Sequence, residues 1–91
     1  MATFQELGQE YAQRILSNPT RQEATRIASS INGLVYSGTN RLLSAQDKKA
    51  IARQIITGFQ YYRPGIGWQV RNSDNSNYLD LVDFIIDQID D

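Results

Sequence analysis

Ninety-one residues, 41% hydrophobic and 21% charged, suffice for one domain over residues 1–91 that buries roughly two-thirds of its unfolded surface, and leave no room for a second. The absence of cysteine and histidine excludes disulfides, thiolate nucleophiles, the commonest general base and the commonest zinc ligand, and so argues against an enzyme. The net charge of −1 hides a segregation: residues 1–71 hold all nine Lys and Arg against four acids, a balance of +5, whereas residues 72–91 hold six Asp and no base, −6.

Thr3-Phe4-Gln5-Glu6 reads as a capping box, with Phe4, Leu7, Tyr11 and Ile15 following at helical spacing. A first helix is predicted over 4–17, stopped by the bias that Pro19 places on its predecessor. Thr20-Arg21-Gln22-Glu23 repeats the box and opens a second helix near Arg21. Its stripe of Ala24, Ile27, Ala28, Ile31 and Leu34 or Val35 carries it past the turn dipeptide Asn32-Gly33 to an end near Val35 or Tyr36.

Ser44-Ala45-Gln46-Asp47 is a third cap, and the helix after it sets Ile51, Ile55, Phe59 and Tyr62 on one face. Lys48, Lys49, Arg53, Thr57 and Gln60 are left for solvent, and Arg63-Pro64-Gly65 ends the helix. The stretch Pro64 to Asn75 is long for a connection in a small bundle and contains Trp68, the one tryptophan, between Ile66 and Val70. It either folds back to close an end of the core or serves as a recognition loop.

Tyr78 to Ile89 is the most apolar stretch, and it still sorts by side. With Ser76 or Asn77 as cap, Tyr78, Leu79, Leu81, Val82, Ile85, Ile86 and Ile89 fill an arc of about 160°, opposite Asp80, Asp83, Asp87, Asp90 and Asp91. An arc that wide fits a groove between other helices. The expected fold is therefore all-α, a compact four-helix bundle with a longer loop before the C-terminal helix. Ile27, Ile31, Ile51, Ile55, Phe59, Val82, Ile85 and Ile89 are its expected core. Phe84 falls between the acidic stripe and the apolar arc, to be covered either by the preceding loop or by another chain.

Two patterns invite a chemical reading. Residues 72–83, read as a twelve-residue EF-hand loop, put Asn72, Asp74, Ser76, Asp80 and Asp83 at the first, third, fifth, ninth and twelfth places. The loop lacks the central glycine and ends in Asp rather than Glu; the alternative is a turn of Asn, Asp and Ser that caps the last helix. Arg41, Lys48, Lys49, Arg53, Arg63 and Arg71 gather around the third helix, but an isoelectric point near 5.2 argues against nucleic acid. No apolar run approaches the roughly 18 residues of a membrane span, and the chain opens without a basic and then apolar leader, so a cytoplasmic location is expected.

The run from Asn18 to Ile55 resembles the core of the class II bacteriocin immunity proteins. The shared features are a helix with apolar positions like Ile27 and Ile31, then Asn40-Arg41-Leu42-Leu43-Ser44, then a helix with the spacing of Ile51 and Ile55. The resemblance implies a small cytoplasmic four-helix bundle without enzyme activity, which protects a producing cell by acting on a bacteriocin and its membrane receptor.

The expected function is that of a non-catalytic helical module that binds a protein partner, in the manner of an immunity protein. A calcium-responsive module and a generic adaptor or homodimeric regulator are the alternatives. Trp68, Phe84, Asp80, Asp83 and Asp87 are the candidate contact residues, self-association is one possible use of them, and no cofactor is implied.

Overall fold

Each helix begins where a polar side chain covers its first free amides, and four such starts organise the chain. The computed structural model describes residues 3–65 and 77–90. It is an all-α four-helix bundle of α1 (Phe4–Ser17), α2 (Arg21–Asn32), α3 (Ala45–Tyr62) and α4 (Tyr78–Asp87). Among the described residues no helix is long and apolar enough to cross a membrane.

Two of the caps are full reciprocal boxes. Thr3 accepts from the Glu6 amide at 3.1 Å while the Glu6 carboxylate accepts from the Thr3 amide at 3.2 Å, a pair of bonds that holds the Glu6 carboxyl below its usual range. Asn77 and Asp80 do the same at the head of α4, at 2.8 and 3.2 Å. The expected boxes of α2 and α3 are half-built. The Thr20 and Ser44 hydroxyls accept their amides, at 3.1 and 3.2 Å, but the acids three residues on are engaged elsewhere. Glu23 turns to Arg14 and Arg26, and Asp47 accepts from the Tyr36 phenol at 2.6 Å. The same phenol oxygen accepts from the Ser44 amide at 3.3 Å, so it takes the place of the missing carboxylate.

The end expected for α2 near Val35 is corrected: the helix stops at Asn32. The Gly33 amide closes onto the Ser29 and Ser30 carbonyls, Leu34 bonds to Ile31, and the chain then straightens. Val35 pairs in antiparallel fashion with Leu42, framed by bonds from Tyr36 N–H to Arg41 C=O at 2.9 Å and from Leu43 N–H to Leu34 C=O at 3.1 Å. Gly38, at φ +74°, supplies the left-handed residue that this tight return requires. Leu34 and Val35 thus extend the apolar stripe in sequence, yet they form the leg of a short hairpin.

α4 likewise ends at Asp87, before Ile89. Its last turn tightens through bonds from Gln88 to Ile85 and from Ile89 to Ile86, and the Asn32 side chain holds the chain just past the helix end. Asn32 donates to the Gln88 carbonyl at 3.0 Å and accepts from the Asp90 amide at 2.9 Å. Ile89 remains buried under this clamp.

The most extensive helix contact joins α1 to α3. Their backbones approach so closely that a Cβ on Gly8 would lie 2.5 Å from that of Gln54, and one on Gly58 would lie 2.6 Å from that of Ala12. Because residue 8 meets 54 and residue 12 meets 58, the two helices run in the same direction. α4 packs against α2 and α3, and its Tyr78 ring sits 5.6 Å from that of Phe59.

All eight expected core residues are buried, and Leu7, Tyr11, Ala12, Ile15, Leu43 and Leu81 join them. Two expectations for α3 fail. Lys48 is only 4% exposed, because it lies four residues before Ala52 and seven before Ile55, on the core side, where its aliphatic stem covers apolar surface. Tyr62 continues the core stripe in sequence, but the last turn of α3 runs beyond the core and leaves it 39% exposed.

Candidate functional site

Asn77 fixes where α4 begins, and the helical period then sets Asp80, Asp83 and Asp87 in an exposed row three and four residues apart. Phe84 lies within this row. Its ring is half-buried at the margin of the core, and the Arg21 guanidinium, at the first position of α2, stands 5.6 Å from its centre. Arg21, Asp80, Leu81, Asp83, Phe84 and Asp87 enclose a shallow hollow of about 160 Å³.

Four of the five candidate contact residues, Phe84, Asp80, Asp83 and Asp87, therefore meet at one place; Trp68 lies outside the described residues. The Phe84 ring leans partly on its own core and partly under Arg21, while Ile66, Trp68 and Val70 of the loop expected to cover it lie outside the described residues. Arg21 has no motif in the sequence that marks it. Only the packing of α2 beside α4 brings it there.

Of the calcium set, Asn72, Asp74 and Ser76 lie outside the described residues, while Asp80 and Asp83 stand on the outer face of α4. The Asp80 carboxylate is engaged as a cap by the Asn77 amide. Tyr78, at the seventh loop place, is already the first residue of the helix, so its carbonyl points along the helix axis toward Val82 rather than into a loop. No group of three or more acids among the described residues is arranged to hold a metal ion.

A second cluster closes the junction of α1 and α2. Glu23 Oε1 accepts from Arg14 Nη2 at 2.6 Å and from Nε at 2.9 Å, and Oε2 accepts from Arg26 Nη1 at 3.2 Å. Burial alone pushes the Glu23 carboxyl up, but the bonds and charges of the two guanidinium groups outweigh it and hold the group below its usual range. Arg14 also stands 5.9 Å from the Tyr11 ring centre, and burial pushes that phenol up. A wide hollow of about 570 Å³ lies beside the cluster, lined by Glu10, Gln13, Arg14, Ser17, Asn18 and Glu23. A carboxylate kept ionised by two arginines is a clamp between helices and a poor proton donor near neutrality.

The basic residues around α3 do not all converge, although Lys49 and Arg53, four residues apart, share a face of the helix. Arg41 precedes the helix and Arg63 follows it, so the two stand at opposite ends of a rod of about 27 Å, and Lys48 is buried between them. Arg71 lies outside the described residues. Compared with protein-family models, with curated proteins and with solved structures, the chain finds no match.

Proposed function

We propose that this protein is a non-catalytic helical module that binds another protein through the outer face of α4, with Phe84 at the centre of the contact. The supporting observation is the half-buried aromatic ring set among three exposed carboxylates on a short, capped helix. Aromatic anchors surrounded by polar residues are a common form of protein contact site. The test compares affinity capture from source cells by the wild type, by Asp83→Lys with Asp87→Lys, and by Arg53→Glu on the remote exposed part of α3. A protein held by the wild type and by Arg53→Glu but released by the α4 variant is the expected result. Equal capture by all three overturns the reading.

An immunity-type protector is the second form of this proposal. It is favoured by the residues of the resemblance that take structural roles, Ile27, Ile31, Leu43, Ile51 and Ile55 in the core and Ser44 as the cap of α3. Expression of the chain in a bacteriocin-sensitive strain is then expected to raise survival, and unchanged killing across a panel of class II bacteriocins refutes it.

A further inference from the structure

The hollow on α4 already contains a cation of the protein's own. Arg21 places its guanidinium over the Phe84 ring, and three carboxylates line the same hollow. A ring face attracts a cation through its quadrupole, and carboxylates pair with guanidinium or ammonium groups, so the place has the chemistry of a receptor for a basic side chain. One arginine leaves negative charge over. Residues 77–90 contain Asp80, Asp83, Asp87 and Asp90 and no Lys or Arg, so the face has carboxylates to offer further positive charges. Arg21 itself is exposed, on the first turn of its helix, and a cation-ring contact at an exposed site is weak.

We propose that Arg21 is an internal stand-in for a partner's cation: the α4 face binds a basic segment of another protein, one of whose Arg or Lys side chains displaces Arg21 from Phe84 while others meet Asp80, Asp83 and Asp87. This rests on the reading of α4 as the contact face and adds to it the charge of the partner and a built-in competitor. Arg21 then sets a threshold. A lone cation gains too little to displace a side chain tethered beside the ring, whereas a segment with several positive charges engages the surrounding acids at once.

The probe is a fluorescent peptide of four Arg-Gly repeats, titrated by anisotropy at low salt against the full chain, with circular dichroism to confirm that each variant is folded. Arg21→Gln is expected to bind it about two- to fivefold more tightly than the wild type, the effect of losing one exposed cation-ring competitor. Arg53→Gln changes the net charge by the same unit on another face, and it measures the general field effect. Equal tightening in the two variants overturns the displacement. Should Arg21→Gln not fold, Arg21→Lys keeps the charge and weakens the hold on the ring; tighter binding supports the proposal, and wild-type affinity overturns it.

Asp83→Asn with Asp87→Asn separates the two levels. Unchanged peptide affinity in that variant removes α4 as the contact face. Weakened affinity, together with equal behaviour of Arg21→Gln and Arg53→Gln, leaves the face standing and removes only the stand-in. Sedimentation of the wild type covers the remaining occupant: a dimer that dissociates in Arg53→Gln makes the basic face of a second copy the ligand, and this too overturns the proposal.

Discussion

A carboxylate with 11% of its side chain exposed and two guanidinium groups in contact stays ionised to a lower pH than a free one. The folded pKa of Glu23 is lowered from an ordinary value of 4.5, so its pairing contributes stability above that pH and loses it as pH falls through the lower folded value. Glu23→Gln is expected to cost about 1–3 kcal/mol at pH 7, the range for hydrogen bonds to charged groups. The difference from the wild type should shrink as urea unfolding is repeated from pH 5 toward pH 3. A difference that stays constant over that range would show that shape rather than charge makes the contact. This role was illegible in sequence, because Glu23 also satisfies the pattern of a capping box and nothing local distinguishes a cap from a partner nine residues back. Arg21 is a similar case: its neighbours in α4 are some sixty positions away, and only tertiary packing brings them together.

At the scale of elements, helical periodicity located every helix start, since caps are local chemistry written in three or four residues. The ends of α2 and α4 were less legible, for tertiary bonds decide them. Asn32 draws the chain after α4 toward α2, and the pairing of Val35 with Leu42 competes with one further helical turn. The closeness of α1 and α3 was also hidden. Nothing in the sequence marks Gly8 and Gly58, yet each clears space for the facing helix. Alanine is the better helix former by about 1 kcal/mol, so on an open helix face both substitutions would stabilise. Here the added methyl meets Gln54 or Ala12 well inside ordinary contact, and Gly8→Ala or Gly58→Ala is expected to lower stability by about 1–3 kcal/mol in urea unfolding. Stabilisation by either variant would mean that the helices separate at little cost.

For the molecule as a whole, the segregation of charge has a structural counterpart in Arg21, which faces the acidic side of α4, while Arg53 on α3 and Arg63 just after it remain exposed. The attraction between acidic helix and basic body acts between exposed groups, so its total is small, about 1 kcal/mol, and screened by salt. Stability is expected to fall by that amount between about 0.02 and 0.3 M sodium chloride, distances comparable to the Debye length of about 10 Å at 0.1 M being the ones affected. No change, or a rise, would show that the acids of α4 repel one another as much as the body attracts them. The all-α bundle and its core were legible because burial follows from periodicity. The grouping of Phe84 with Asp80, Asp83 and Asp87 was legible too, because helical period alone sets them on the outer side of one helix.

The approach of Gly8 to Gln54 and of Ala12 to Gly58 also shapes the route by which the chain folds. The tightest contact in the bundle joins its first and third helices, with α2 and two connections looped out between them, and closing a loop of that length costs on the order of 3 kcal/mol of chain entropy. The reward comes only when both helices are formed and seated, because a backbone-to-backbone fit offers nothing to a half-wound partner. The contact therefore belongs late on the reaction coordinate, and Gly58→Ala should accelerate unfolding in stopped-flow circular dichroism while the refolding rate stays within about twofold of the wild type. A refolding rate that falls in proportion to the lost stability would instead make this pairing part of the nucleus, and the bundle would begin its assembly across α2 rather than between neighbouring helices.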